Sequence, residues 1–243
     1  MGPLGGSEPY DPDNLLDKMS SDSTMQLQYG HMRDRERELL EPRLPPGGDV
    51  LSVGCGWNPG RHAFPAPAWR MTGVEPEAEK PDVLVAEGVL DAGLAGRAGE
   101  LDSLADASYD AVLYRLVLHH VAFQAPLRPV FAEAARLLRP GGSLVAVEPG
   151  LWHPVGAGLA LANKLGAGPA VHGTPDDLPL SPRRLLADAR SAGLEAQLLA
   201  VTYTWRRMPA AMQRALWPPD RVLGARPRAA KFGHTLMLIA RRA

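Results

Sequence analysis

The sequence has one cysteine, Cys55, and no apolar run that approaches about twenty residues. A single cysteine excludes a disulfide framework and any zinc site built from several thiolates. The most hydrophobic irregular region, residues 151–173, is broken by His153 and Lys164, so no membrane-spanning helix is predicted. The N-terminus also lacks the basic and then apolar pattern of a signal peptide. These absences predict a protein of the reducing cytoplasm.

The sequence also lacks a large net charge and long runs of like charge. The formal net charge is -1, and no run of five like charges occurs. Residues 1–182 carry 14 basic and 24 acidic side chains, whereas residues 183–243 carry 12 basic and 3 acidic ones. A basic C-terminal part can indicate an acidic ligand or a nucleic acid, or it can attract the acidic part within one fold. The dispersed arginines favour the second interpretation, so nucleic acid is not the expected partner.

The segment from Asp49 to Gly60 is the most informative part of the chain. An apolar run, Val50–Val53, breaks into Gly54-x-Gly56, and a second run ends about twenty residues later at Glu75. Open α/β sheets hold nucleoside-bearing cofactors in this way, because glycines let the backbone approach the ligand and the carboxylate accepts hydrogen bonds from ribose hydroxyls. The segment therefore predicts a nucleoside site at the end of the first strand.

The rest of the chain alternates strands and helices. We expect helices at 25–41, 127–138 and, with Ser181 as N-cap, 182–193, and strands at 50–53, 70–75, 110–114, 143–148, 196–203 and 231–241. With a third strand between the second and fourth, this order predicts a doubly wound, Rossmann-like α/β fold. Its seven-stranded sheet is expected to be mostly parallel, with an antiparallel edge in the late pair.

The position of the third strand has two interpretations. The valines of Asp82-Val-Leu-Val-Ala86, after Pro81, favour a strand there. Alternatively, Pro81 begins a helix and the strand lies at about 97–101. The first interpretation is preferred, and it makes Glu87 the acidic residue at the strand's end, whereas the second makes it Glu100 or Asp102.

Taken together, these segments resemble a class I S-adenosylmethionine-dependent methyltransferase of the kind that acts on small molecules. The resemblance extends over about 50–193, and its strength lies in the order and spacing of several short motifs. These motifs are Val-Gly-Cys-Gly at 53–56, Gly-Val-Glu-Pro at 73–76, Ala-Ser-Tyr-Asp-Ala-Val at 107–112, Leu-His-His-Val at 118–121, Leu-Leu-Arg-Pro-Gly-Gly at 137–142 and Val-Glu-Pro at 147–149.

The resemblance implies roles for particular residues around S-adenosylmethionine, with S-adenosylhomocysteine as the product. Gly54, Cys55 and Gly56 would pass under the methionine part, and Glu75 would hold the ribose. Pro76, and Glu87 in the preferred interpretation, would lie beside the adenine.

Further residues would lie at the methionine end of the cofactor. Arg115 and Leu116 would reach it from the fourth strand, and Tyr29 on the first helix could close over it. The family usually has a long helix after the glycine turn, but here three prolines interrupt the segment, namely Pro59, Pro65 and Pro67. Asn58 or Trp57 is therefore expected to shape that wall.

The sequence also predicts a domain organisation. Residues 1–24, rich in Gly, Pro, Ser and Asp with few core-forming residues, are expected to be a flexible leader. The resemblance implies that residues 25–243 are a single methyltransferase domain. Within that domain, 25–48 would be a helical lid and 149–180 an irregular insert on the substrate side. Aromatic residues late in the chain would supply flat walls for the acceptor, namely Trp152, Tyr203, Trp205 and Trp217.

Methyl transfer to oxygen or nitrogen needs an aligned nucleophile and a route for its proton. The candidate bases are His119, His120 and His153, with His172 and the lid residues Tyr29 and His31 also considered, because the ordinary pKa of histidine lies near neutrality. His62 and His234 are interpreted as structural. No two histidines stand at i and i+4 beside a carboxylate, so no metal site is predicted.

The sequence therefore predicts methylation of a small metabolite, in a setting of secondary metabolism. The preponderance of arginine over four lysines, with abundant Ala, Gly and Pro, is compatible with that setting through a GC-rich genome. The alternatives are methylation of nucleic acid, or a cofactor-binding protein that uses the sulfonium for other chemistry. Neither the acceptor nor the oligomeric state is predicted.

Overall fold

The computed structural model describes residues 23–167 and 178–243. In chain order, the helices are α1 (Ser23–Leu40), α2 (Glu79–Ala86), α3 (Leu118–Gln124), α4 (Leu127–Leu137), α5 (Pro154–Lys164), α6 (Pro182–Ser191), α7 (Ala210–Leu223) and α8 (Pro227–Ala230). The strands are β1 (Gly48–Val53), β2 (Trp69–Glu75), β3 (Ala92–Ala95), β4 (Tyr109–Arg115), β5 (Leu138–Pro149), β6 (Leu194–Thr202) and β7 (Thr235–Arg242).

The seven strands form one sheet in the order β3-β2-β1-β4-β5-β7-β6. Strands β1 to β5 pair in parallel, and β7 is antiparallel to both of its neighbours. This confirms the Rossmann-like α/β fold with a mostly parallel sheet. The late pair forms an antiparallel edge as predicted, and within it β7 lies between β5 and the edge strand β6. The carboxyl ends of β1, β2 and β4 meet at one edge, where such folds bind ligands.

Helices cover both faces of the sheet. On one face, α3, α4 and α6 pack on alternate residues of the strands, including Leu51, Val112 and Leu144. On the other face, the cluster includes Leu84 of α2 and Met32, Leu39 and Leu40 of α1. The helix predicted as a lid is therefore also a core element. No helix separates β1 from β2, so α1 covers the face where a helix after the glycine turn would pack.

The third strand is the clearest error of the sequence analysis. Residues 82–86, predicted to be a strand, lie in α2, and β3 is Ala92–Ala95. The alternative interpretation correctly predicted a helix that includes Pro81, but it placed the third strand too late in the chain, at 97–101. Strand β3 is short and lies at the sheet edge, with most of its side chains exposed. Strand propensity reflects packing on a half-buried surface, so an exposed Ala-Gly-Leu-Ala segment carries almost no signal.

Other boundaries differ in detail. The insert, 149–180, is not wholly irregular, because α5 lies within it. The Arg-Pro-Gly-Gly segment at 139–142 falls inside β5, where pairing with β4 shifts register. Helix α6 begins at Pro182 as expected, but the Ser181 side chain makes no capping hydrogen bond. Helices α3, α7 and α8 were not predicted. Among the described residues, no helix is long and apolar enough to cross a membrane.

Candidate active site

The glycine turn lies at the carboxyl end of β1. Gly54 and Gly56 both have positive φ angles, 67° and 48°. A side-chain carbon at Gly54 would collide with Val117, so the residue serves both conformation and packing. At Gly56, by contrast, such a carbon would meet no described atom within 4 Å, so the space above this residue is open. The turn therefore presents bare backbone to a ligand.

Glu75 at the end of β2 faces the same turn. The Gly56 amide donates to Glu75 Oε2 at 3.0 Å, and Lys80 Nζ lies 3.5 Å from Oε1. Lys80 also pairs with Glu77 at 3.2 Å. The Glu75 side chain is 13% exposed, so its carboxylate is fixed beside the glycines and still reachable. Gly54, Gly56 and Glu75 thus come together as the sequence predicts.

Cys55 is a packing residue of the turn. Its side chain is buried against the sheet face that α1 covers. Burial and the nearby Glu75 carboxylate raise the pKa of the Cys55 thiol to about 12. A thiol with so high a pKa is not nucleophilic at neutral pH, so Cys55 serves as a small apolar filler of the turn.

Asn58 continues the wall after the turn. Its amide N–H donates to Cys55 O at 3.2 Å, which closes the turn. Its side-chain Oδ1 is buried and has no hydrogen-bond partner among the described residues. Since buried polar atoms are normally bonded, this oxygen is a candidate contact for a ligand at the turn.

At the end of β4, Arg115 is held by α1. Its guanidinium donates to both oxygens of Glu36, at 2.9 and 3.1 Å, and His62 Nε2 lies 2.8 Å from Glu36 Oε2. All three side chains are at least nine-tenths buried. Burial lowers the pKa of His62, against the effect of Glu36, so the imidazole is neutral and donates its N–H. Leu116 follows with φ 56°, a conformation unusual for leucine and typical of functional sites.

This cluster predicts a loss of stability in acid. Burial alone would raise the pKa of Glu36, but Arg115 and His62 outweigh it and lower the pKa from 4.5 to about 2. The stabilisation is complete above the unfolded pKa and is lost as the pH falls from about 5 towards 2. By linkage, the wild type should lose about 2 kcal/mol more than Glu36→Gln between pH 6 and pH 3. Urea unfolding at several pH values measures this.

Glu41→Gln, a change at an exposed residue beyond the end of α1, is the control and should follow the wild type. Equal acid losses in Glu36→Gln and wild type would contradict a depressed Glu36 pKa.

His119 is fixed by a buried carboxylate. Its Nδ1 lies 2.6 Å from Glu148 Oε2, and Glu148 is fully buried. The same carboxylate accepts the backbone amides of Val117, Leu118 and His119 at the start of α3, at 3.0, 2.8 and 3.3 Å. A carboxylate accepts, so His119 donates from Nδ1, and the neutral form of its ring has the lone pair on Nε2. His120 lies beside it, with ring centroids 4.0 Å apart.

His153 differs from His119 in its hydrogen bonds. Its Nδ1 accepts the Val155 amide at 3.3 Å, and its Nε2 lies 3.1 Å from Tyr203 O, so both ring nitrogens are bonded. The residue is the N-cap of α5, and burial lowers its pKa. The predicted role of His153 as a base is therefore corrected to a structural one. His172 lies outside the described residues.

Three other predicted contacts have different outcomes. Tyr29 packs, partly buried, against the cluster beneath α1, and Pro76 is exposed directly after Glu75. Glu87 follows α2, the crossover between parallel β2 and β3, so it lies at the amino edge of the sheet, away from the glycine turn. The prediction for Glu87 loses its basis, because residues 82–86 form part of a helix and not the predicted strand. The alternative residues, Glu100 and Asp102, follow the carboxyl end of β3 and are exposed.

A network around Asp220 of α7 was missed. Asp220 is fully buried; its Oδ2 lies 2.7 Å from His31 Nε2 and accepts the Thr202 hydroxyl at 2.8 Å. Its Oδ1 accepts the Tyr203 amide at 2.8 Å. Gln28 of α1 joins the network through Thr204, so α1 bonds to the end of β6 at one point and to Arg115 of β4 at another. Helix α1 thus crosses the carboxyl edge of the sheet.

In the described part of the chain, no three His, Cys, Asp or Glu side chains are placed to hold a metal ion.

Comparison with known proteins relates this geometry to a family. Residues 51–146 match the family model described as a methyltransferase domain. No functionally curated protein matches the chain significantly by sequence. Among solved structures, a Thermotoga maritima protein described as a SAM-dependent methyltransferase, possible histamine N-methyltransferase, superposes with TM-score 0.64 at 16% identity, covering 95% of this chain and 97% of its own.

Two further structures agree in fold. An Archaeoglobus fulgidus SAM-dependent methyltransferase has TM-score 0.60 at 16% identity and covers 96% and 100% of the two chains. A geranyl diphosphate methyltransferase in complex with SAM has TM-score 0.58 at 17% identity, with coverage of 97% and 96%.

Proposed function

From the match of residues 51–146 to the methyltransferase-domain model, we propose that this chain is a class I S-adenosylmethionine-dependent methyltransferase that methylates an oxygen or nitrogen of a small metabolite. The observation that carries the proposal is the common edge of the sheet. There the Gly54–Gly56 turn and Glu75 lie at the ends of β1 and β2, and His119, held by Glu148, follows β4. A nucleoside site and a positioned imidazole at one edge are the two parts that such a transfer needs.

The residues around the turn fit S-adenosylmethionine. Open space above Gly56 admits the methionine part, and the orphaned Asn58 Oδ1 can accept from its ammonium group. The fixed, partly exposed Glu75 carboxylate can accept from the ribose hydroxyls, with Pro76 beside the base. Arg115 and Leu116 bound the methionine end, and Tyr29 approaches from α1. When bound, the cofactor supplies an electrophilic methyl group on a positively charged sulfur.

In the proposed reaction, the chain's own groups orient the acceptor and remove its proton. His119 takes that proton at Nε2, and the resulting imidazolium is stabilised by Glu148 at Nδ1. His120 is the second candidate, since its ring is adjacent and half-buried. Helix α1 crosses the edge and excludes water, which would otherwise compete with the acceptor.

A small acceptor is favoured over nucleic acid by the charge of the protein. The protein has a net charge of -1, whereas proteins that bind nucleic acids usually present a strongly basic surface. Some of the excess basic charge of the C-terminal part is neutralised internally, as in the 2.8 Å pair of Arg221 with Glu38 of α1. We place the protein in the cytoplasm, in keeping with its single cysteine, and assign it to secondary metabolism.

The test is transfer of a labelled methyl group from S-adenosylmethionine to a panel of phenols, carboxylic acids and amines. Labelled small-molecule product, with activity reduced in His119→Asn, is expected. Label that enters only RNA or DNA, with salt-dependent binding, would support the nucleic-acid alternative. Cofactor retention without any product would instead support a protein that does not methylate.

A further inference from the structure

Two hydrogen-bond donors next to Asp220 have no partner among the residues that the structure describes. The Tyr203 hydroxyl and the Trp217 indole Nε1 are both buried, and neither makes a hydrogen bond with any residue that the structure describes. Buried polar atoms are bonded in the great majority of cases, so each exception points to a missing partner. Tyr203 directly follows β6, and Trp217 stands one helical turn before Asp220 on α7.

The two side chains belong to one local structure. The Tyr203 amide bonds to Asp220 Oδ1 at 2.8 Å, and His31 bonds to Oδ2 at 2.7 Å. The His31 ring stacks on Trp217, with centroids 4.5 Å apart and planes 14° from parallel. Asp220 is a poor acceptor for these two donors, because both of its carboxylate oxygens already accept hydrogen bonds. Those hydrogen bonds come from His31, Thr202 and the Tyr203 amide.

The chemistry of the missing partner follows from these groups. Indole N–H can only donate, and burial and Asp220 raise the pKa of Tyr203 to about 12, so its hydroxyl also keeps its proton at neutral pH. The partner must therefore accept hydrogen bonds, which excludes an ammonium group. A negatively charged group would be repelled by the Asp220 carboxylate. What remains is a neutral oxygen, carbonyl or hydroxyl, on a flat molecule that the aromatic rings can contact.

We propose that Tyr203 and Trp217 are the acceptor-recognition residues and that they donate to a neutral oxygen of an aromatic acceptor. This inference deepens the proposed function and rests on it. It makes Asp220 and His31 positioning residues, which hold Tyr203 by its backbone and Trp217 by its ring.

The stability of the free protein tests the first half of this inference. Tyr203→Phe removes a donor that bonds to none of the described residues and keeps the ring, so the Tm of the unliganded protein should stay the same or rise. Thr202→Val is the matched control, because it removes a buried hydroxyl that is bonded to Asp220, and its Tm should fall. A Tm for Tyr203→Phe as low as that of Thr202→Val would overturn the inference, since it would show that the hydroxyl has a structural partner.

Ligand binding tests the second half. With the protein saturated by S-adenosylhomocysteine, 4-hydroxyacetophenone and 4-hydroxybenzamide should raise the Tm, whereas 4-hydroxybenzoate and benzylamine should not. The affinity of Tyr203→Phe for the neutral probes should fall about tenfold, as expected for one hydrogen bond, with unchanged affinity for S-adenosylhomocysteine.

Failure of the wild type to bind S-adenosylhomocysteine would count against the proposed function itself. Normal binding of S-adenosylhomocysteine, combined with no response to the neutral probes or an equal response in Tyr203→Phe, would overturn the acceptor-recognition role alone.

Discussion

Glu75→Ala should weaken the binding of S-adenosylhomocysteine about a hundredfold or more. The carboxylate is proposed to accept two ribose hydroxyls, and hydrogen bonds to a charged group are each worth about 1.5–3 kcal/mol. The change also frees the Gly56 amide, which donates to Glu75 at 3.0 Å, so the glycine turn loses its support. Titration calorimetry with S-adenosylhomocysteine measures the effect without any knowledge of the acceptor.

Glu77→Ala is the matched control for this change. Glu77 stands two residues away and shares Lys80 with Glu75, but its side chain is 70% exposed. Its loss should leave affinity within about threefold, as expected for an exposed ion pair. Equal affinities of Glu75→Ala and wild type would show that the ribose lies elsewhere.

Glu148→Ala should lower the free energy of unfolding by about 3–5 kcal/mol. The carboxylate is fully buried and accepts three backbone amides and the His119 imidazole. Alanine leaves all four donors unpaired at the start of α3, where a negative charge is also favoured by the helix dipole. Urea unfolding measures the loss, and Glu195→Ala, on an exposed position of β6, should change stability by less than about 0.5 kcal/mol.

Glu148→Gln separates stability from catalysis. Its amide oxygen can still accept from the Val117 and Leu118 amides, so the loss of stability should be smaller than with alanine. Its NH₂ group would face His119 Nδ1 and favour the tautomer that is protonated on Nε2. Methyl transfer should therefore fall much more than stability does. Full activity in this variant would argue against His119 as the base.

The parts of the fold that were predicted correctly are those with a strong local signal. Strand β1 is a compact apolar run that ends in glycines, and β2 ends in Glu75-Pro76, so both could be placed from their own residues. Strand β3 has one neighbouring strand and small, exposed side chains, so nothing local marks it. Helix α7 was missed because it contains Pro218 and Pro219, which normally argue against a helix interior.

Prediction of the site was limited in the same way, to residues that carry a local sequence signal. The Gly54–Gly56 turn and Glu75 carry a motif, whereas Glu36 and Asp220 are single carboxylates whose partners are distant in sequence. For Glu148 a signal existed: a charge directly after the apolar run Leu144–Val147 must be paired or exposed, and it is paired with His119. His153 before Pro154 also had the pattern of a helix cap rather than a base.

The position of α1 has a consequence for folding during synthesis on the ribosome. Gln28 and His31 bond to Thr204 and Asp220, which are 176 and 189 residues further along the chain. The helix therefore leaves the ribosome long before these partners are made, and it cannot dock through them until they emerge. Its apolar residues, Met32 among them, must stay unburied during that interval.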